Sequence, residues 1–246
     1  MLKRSCDVVL AFIGLVLLSP LFLLLAVLIK LESPGPVFFR QTRVGKGFRT
    51  FTLFKFRTMR VAESSNYELG YELTCGNDER ITRFGALLRR TKFDETPQLW
   101  NVLRGEMSIV GPRPQTPALV ESMRDHYAAV LCANPGMTDL ASIRFRGESD
   151  VLGNVDNPVD YYLRIIMPEK MELQQDYLRR RSLMLDLWII WCTALVCLGS
   201  ERTRRRIEVV VARRMYRRRR ASSANSMKPA GSMKPAADGE LSSVGD

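Results

Sequence analysis

The sequence predicts an α+β, helix-dominated fold in three parts: a membrane-embedded helical segment over residues 1–32, a domain over residues 33–200 and a basic tail over residues 201–246. Three observations predict it. Val8 to Ile29 is apolar except for Ser19-Pro20 and the small Gly14, 22 residues where about 20 span a bilayer. Val37 to Phe39 and Phe51 to Phe56 are rich in β-branched and aromatic residues and flank Gly45-Lys46-Gly47, which reads as a small β-hairpin. Beyond residue 80, apolar residues recur mostly at helical spacing.

Three readings of the apolar run compete. A cleaved signal peptide has the right basic start, but Ile29-Lys30-Leu31-Glu32 offers no small-residue cleavage site and the run is long for such a segment. A straight transmembrane helix is compatible with Pro20, because a neighbouring side chain can satisfy the carbonyl that proline leaves free. A helix broken at Ser19-Pro20 that enters and leaves by one face gathers Lys3, Arg4, Lys30, Arg40 and Arg43 on the cytoplasmic side. Positive charge at both ends favours this re-entrant hairpin over the spanning helix, and it requires Ser19 Oγ to bond a preceding carbonyl.

The hairpin leads to Lys55 and Arg57, and then to a polar stretch, Glu63 to Asn77, that reads as a loop. Ile81, Phe84, Leu87 and Leu88 place a helix over Arg80 to Arg90, which points Arg89 toward Asp94. A helix is expected around Thr116 to Leu131, then a turn at Asn134-Pro135-Gly136 and an irregular segment whose Arg144, Arg146 and Glu148 suit structural and functional roles equally. Tyr161 to Arg181 has helical spacing. Leu183 to Leu198 is a 16-residue apolar run interrupted by Asp186 and carrying Trp188 and Trp191. It reads as an amphipathic helix lying on the membrane, with a buried core helix as the alternative.

Composition bounds the function. The 246 residues suffice for one ordinary domain plus appendages. From Glu201 onward, 12 Lys or Arg oppose 5 acids, so the tail holds +7 of the net +11 and residues 1–200 only +4. No zinc spacing, basic zipper or aromatic RNA-binding motif accompanies that charge, which argues against nucleic acid and for anionic lipid. Arg202 to Arg220 is Arg-dense, and the duplicated Ser226-Met227-Lys228-Pro229-Ala230 and Ser232-Met233-Lys234-Pro235-Ala236 read as a disordered end. Cys6, Cys75, Cys132, Cys192 and Cys197 are an odd number without Cys-x-x-Cys spacing and read as small apolar side chains. His126 is the one histidine, on a polar stretch, and histidine-based catalysis is not expected.

Chemistry concentrates in Thr91 to Pro114, TKFDETPQLWNVLRGEMSIVGPRP. Asp94 and Glu95 repel each other unless a cation holds them, a perturbation that active sites use. Pro97 is tolerated only in a first helical turn, so a helix should start at or just before Asp94, with Asp94 as N-cap. Ordinary capping is the better explanation of an isolated Asp-Glu pair. Pro112-Arg113-Pro114 adds a guanidinium on a stiffened backbone, suited to a phosphate or a planar base, or else a rigid turn with a solvated arginine.

With this segment in view, the chain resembles the bacterial sugar transferases known as monotopic phosphoglycosyl transferases, which act on polyprenyl phosphate. The other blocks that match the family pattern in order are Lys3-Arg4 with Asp7, Ser33-Pro34-Gly35-Pro36-Val37-Phe38-Phe39, Gln41 with Arg43 and Gly45, Lys55-Phe56-Arg57-Thr58-Met59, Arg80-Ile81-Thr82-Arg83-Phe84-Gly85, Pro135-Gly136-Met137-Thr138 and Pro168-Glu169-Lys170. The match runs to about Leu198. It departs at Lys92-Phe93, where Ser-Leu is frequent, and at Asp139, where glycine is usual.

The resemblance implies transfer of a sugar-1-phosphate from a UDP-sugar donor to a polyprenyl phosphate acceptor such as undecaprenyl phosphate, with release of UMP. It assigns Asp94 as the nucleophile that forms a covalent phosphosugar-aspartate, Glu95 as the ligand of Mg²⁺, and Arg113 with Pro112 and Pro114 to the nucleotide end. Lys55, Arg57 and Arg89 are candidates for phosphate contacts. It also implies a re-entrant hairpin bent at Ser19-Pro20, a catalytic domain on the cytoplasmic face of the bacterial inner membrane, and a place at the start of surface glycan or exopolysaccharide synthesis. Two other classes stay open: a non-enzymatic membrane adaptor held by its apolar run and Arg-rich tail, and a lipid-phosphate glycosyltransferase that would release UDP.

Overall fold

Helix α1 runs from Leu2 to Glu32 with Pro20 inside it, so the backbone stays helical through the expected break. The physical reason is local. Proline at position 20 removes the N–H that would have bonded Val16 O, and Ser19 Oγ donates to that same oxygen at 2.8 Å. The computed structural model describes residues 2–60 and 78–212, and residues 1–211 make one compact unit.

Both ends of α1 are tied to this unit. At its start, Lys3 Nζ pairs with Asp186 at 2.6 Å and donates to Val110 O, Arg4 donates to Val102 O and Leu103 O, and buried Asp7 accepts from Ser108 Oγ and Ile109 N. At its end, the Arg57 guanidinium donates to Ile29 O, Ser33 O and Pro34 O, while Glu32 accepts from Phe84 N at 2.9 Å. Ala11 packs with Leu99 and Val102; Leu25 and Ile29 pack with Phe56 and Leu88. The remainder of α1 is an exposed apolar surface that includes Phe12, Leu17 and Leu23.

The hairpin forms as expected, β1 (Phe38–Val44) pairing antiparallel with β2 (Thr50–Phe56). Gly47 takes φ 64° in the connection, a conformation glycine adopts without steric cost. Helix α2 (Arg83–Thr91) is capped by Thr82 Oγ1, which accepts from Gly85 N. Then come α3 (Gln98–Arg104) and β3 (Ser108–Val110). The helix expected over Thr116 to Leu131 is two, α4 (Pro117–Ser122) and α5 (Arg124–Ala128), because Met123 leaves helical geometry at φ −133°. His126 is exposed there.

Strand β4 (Gly136–Thr138) pairs with β3 in parallel. The chain continues through short α6 (Leu140–Arg144), α7 (Glu148–Leu152) and α8 (Pro158–Tyr161), a π-helical turn at Tyr162–Ile166, and α9 (Met167–Arg180). Leu119, Tyr127, Leu152, Tyr162, Ile166 and Met171 share the core of this half.

Helix α10 (Leu183–Leu198) divides its faces: Asp186, Ile189, Cys192 and Val196 are buried, whereas Met184, Leu187, Trp191 and Leu198 are exposed. It therefore combines the two readings of the sequence, one side in the core and one apolar side outward. No disulfide joins the described cysteines. Where the sequence predicts the tail to begin, the structure continues as a helix, α11, over residues 201–212, with Val211 fully buried. The stretch Glu63 to Asn77, Cys75 and the duplicated segment lie outside the described residues.

Candidate active site

Asp94 sits inside a tight 3₁₀ turn, Phe93–Glu95, between α2 and α3. It does not cap a helix. Lys92 adopts φ 62° and closes α2, the chain turns through bonds from Glu95 N to Lys92 O and from Thr96 N to Phe93 O, and α3 begins only after Pro97. The tighter turn leaves Asp94 and Glu95 buried yet facing different surroundings.

Glu95 is locked by Arg113. The guanidinium forks onto it, Nη2 to Oε1 at 2.6 Å and Nη1 to Oε2 at 3.0 Å, and Lys92 Nζ stands 3.5 Å from Oε1. Such bidentate pairs fix geometry as well as charge. The backbone behind Arg113 is equally constrained. Gly111 lies so near the next strand that a Cβ there would stand 2.7 Å from Asn134 O, Gly136 N donates to Pro112 O at 2.9 Å, and Arg43 Nη1 reaches Pro114 O at 3.5 Å. Asp139 fastens the loop. Its Oδ2 accepts from Arg113 N and from Gln174 Nε2, and its Oδ1 accepts from Ser142 N at the start of α6.

These surroundings separate the two carboxyls. Burial, then the neighbouring Glu95 charge, pushes Asp94 up to about 6. Burial pushes Glu95 in the same direction, but Arg113 and Lys92 together outweigh it and hold Glu95 well below the usual carboxylate range. Asp94 Oδ1 is buried and without a hydrogen-bond partner, an arrangement that costs energy unless a ligand completes it. Lys55 is lowered to about 8, by burial against the opposing pull of Glu95 and Asp94.

The dyad opens on a cavity of about 800 Å³. Lys55, Arg89 and Arg113 line it with Asp94 and Glu95, and Arg89 is steadied by its Nε bond to Thr58 Oγ1 at 2.8 Å. Arg57 does not line it: that guanidinium is buried against the end of α1, where it satisfies three carbonyls. Pro112 and Pro114 shape the Arg113 backbone but stay out of the lining. Sequence reasoning left Glu148 undecided and gave no role to Lys170 or Tyr162, all of which line the far wall. Lys170 ion-pairs with Glu148 and lies 5.0 Å from the Tyr162 ring centroid. The Pro-Glu-Lys block pointed to Lys170, but its partner lies 22 positions earlier (170 − 148), beyond any local pattern.

No group of three or more His, Cys, Asp or Glu able to hold a metal ion occurs among the described residues. Mg²⁺ needs no such cage. It commonly keeps waters and takes one or two carboxylates plus substrate phosphates, and the orphaned Asp94 oxygen beside Glu95 fits that donor set.

The family described as bacterial sugar transferase matches residues 1–200. A UDP-glucose:undecaprenyl-phosphate glucose-1-phosphate transferase of Xanthomonas campestris pv. campestris is 45% identical over 203 residues, which cover 81% of this chain and 39% of that protein. Its counterpart in Escherichia coli (strain K12) is 41% identical over 197 residues, 78% of this chain and 39% of that protein. An exopolysaccharide production protein of Rhizobium leguminosarum bv. phaseoli is 40% identical over 211 residues, 82% of this chain and 96% of that protein. The chain thus spans about two fifths of the first two relatives and nearly all of the third. With residues 1–200 matched and Asp94, Glu95 and Arg113 brought to one cavity, the chain belongs to the bacterial sugar transferase family.

Proposed function

We propose that the protein moves a sugar-1-phosphate from a UDP-sugar to a polyprenyl phosphate and releases UMP, with Asp94 as the nucleophile. The observation that carries this reading is the buried, unpartnered Asp94 Oδ1 in a cation-lined cavity, beside a Glu95 already held by Arg113. An Asp94 oxygen would attack the phosphorus that bears the sugar, and the bond from that phosphorus to the bridging oxygen would break, with UMP leaving. A phosphate oxygen of the acceptor would then attack the same phosphorus and return Asp94 to a free carboxylate. Splitting the transfer lets one site serve a soluble and a lipidic substrate in turn.

The cations Lys55 and Arg89 would hold the diphosphate, and Arg113 would orient Glu95 while offering its remaining N–H groups to the donor. Glu95, with Asp94 and the diphosphate oxygens, would hold Mg²⁺, which supplies neutralising charge as one anion approaches another.

A monotopic arrangement accompanies this proposal. Both ends of α1 bond the same domain, so a bilayer-crossing α1 would have to release one of them. Insertion from the cytoplasmic face of the bacterial inner membrane, re-entrant at Ser19-Pro20, keeps both. The names of the relatives support undecaprenyl phosphate as acceptor and exopolysaccharide as the product pathway.

The test is nucleotide release from a panel of UDP-sugars by membranes holding wild type, Asp94→Asn or Glu95→Gln, with polyprenyl phosphate and Mg²⁺. UMP from wild type, reduced at least a hundredfold in both variants, is expected. Equal UMP from all three would remove the dyad from the mechanism. UDP in place of UMP would identify a glycosyltransferase, and no nucleotide from folded protein would favour the adaptor.

A further inference from the structure

The cavity is closed on one side by residues beyond the matched family region. Arg204 and Arg205 of α11 line it, together with Arg90 and Arg146. Helix α11 is not loosely appended. Ser200 Oγ accepts from Thr203 N at its start, a Cβ on Gly199 would stand 2.9 Å from Thr203 Cγ2, and Val211 is fully buried near its end. Arg146 fastens the facing rim: its guanidinium bonds Arg90 O and reaches Cys197 Sγ at 3.6 Å.

The arginines on this wall differ in what they have left to offer. Arg204 is committed, its Nε donating to Val196 O and its Nη1 to Glu201, both at 3.0 Å. Arg205 is exposed and, among the described residues, makes no hydrogen bond or ion pair. Four guanidinium groups on this wall face the two carboxylates of α11 that share it, Glu201 and Glu208, and Glu201 is already paired with Arg204. The balance is cationic, and a planar fork with unused donors matches a phosphate.

We propose that α11 completes the substrate cavity and that Arg205 binds a substrate phosphate there, one carried either by the prenyl acceptor or by the nucleotide donor. The proposal rests on the transferase reading of the same cavity. It adds a phosphate subsite supplied by a segment outside residues 1–200.

The experiment is equilibrium binding of farnesyl phosphate and of UDP, measured separately, to the detergent-solubilised full chain. Arg205→Ala should bind one of them about tenfold more weakly, Arg205→Lys should recover part of the loss, and Arg206→Ala, one residue along and outside the cavity lining, should match wild type. Loss for farnesyl phosphate alone assigns the subsite to the acceptor; loss for UDP alone assigns it to the donor. Unchanged affinity for both ligands overturns the proposal. So does an equal loss in Arg206→Ala, which would mean a diffuse field, and so does failure of wild type to bind either ligand. Binding without UMP release would sink the transferase reading and leave the subsite standing.

Discussion

Lys55 carries a charge that the cavity both needs and disfavours. Burial lowers it to about 8, and it stands in the field of both Asp94 and Glu95. If its ammonium holds a donor phosphate, kcat/KM should fall as pH rises through about 8, because the proton is lost there. Arginine stays charged, so Lys55→Arg should carry the falling limb upward by more than one pH unit in a rate profile. Stability should move the other way. A lysine lowered from 10.5 binds fewer protons folded than unfolded between those values, so its contribution rises with pH from about 8 to 10.5. Asp139 is the second residue whose role is definite. It accepts three bonds while almost wholly buried, so Asp139→Ala should destabilise the fold by about 2–4 kcal/mol. Asp139→Asn, which keeps acceptor oxygen, should lose less in a denaturant titration. The sequence marked position 139 only as a departure from pattern; the distance from Asp139 to Gln174, 35 residues along the chain, hid the reason.

At the scale of elements, composition and spacing located the hairpin and most of the helices, while the single helix expected over Thr116 to Leu131 proved to be two. The β-branched and aromatic residues of Val37 to Phe39 and Phe51 to Phe56, with glycines between them, pointed to a hairpin, whose observed register places Lys55 opposite Phe39. The 3.6-residue spacing in α2 and the 16-residue apolar run of α10 likewise carried the information needed to place them. Ser19 Oγ takes up the carbonyl that the Pro20 ring leaves free, the bond that the re-entrant reading requires, and the backbone stays helical there. Other features escaped because each depends on a partner distant in sequence or on a competing local bond. Asp94 did not cap a helix, since left-handed Lys92 started a 3₁₀ turn one step earlier. The β3–β4 pair, three residues each and parallel, has no periodicity to detect. Its signature is the contact of two glycines, where a Cβ on Gly136 would overlap the Gly111 backbone. Gly136→Ala should therefore shift this strand pair, loosen the Arg113 loop behind Glu95, and cost several kcal/mol. A lowered Tm with UMP release reduced further than the loss of folded protein explains would confirm that the strand pair serves the site.

Across the whole molecule, two helices with exposed apolar faces, α1 and α10, meet at their starts. Lys3 of α1 pairs with Asp186 of α10, and Tyr177 Oη donates to the same carboxylate at 2.7 Å. Each helix leaves apolar residues exposed, Phe12 and Leu17 on α1, Leu187 and Trp191 on α10, and hydrocarbon or headgroup contact would bury them. A helix of 31 residues is about 46 Å long when straight, enough to cross a bilayer core of about 30 Å. Length therefore does not decide between crossing and re-entry, but the tethers make the two distinguishable by experiment. Arg4 and Asp7 at one end, Arg57 and Glu32 at the other, all bond the domain that holds Asp94. If these bonds persist in the membrane, Ser5→Cys and Lys30→Cys, placed singly in a background with the five native cysteines replaced, should both resist an impermeant maleimide in intact cells and both react after lysis. Ser5 and Lys30 are exposed in the structure and take no part in the tethers, so lysis should make them reactive without unfolding. Labelling of one position in intact cells and of the other only after lysis would establish a crossing helix, and with it the rupture of the tethers at one end of α1.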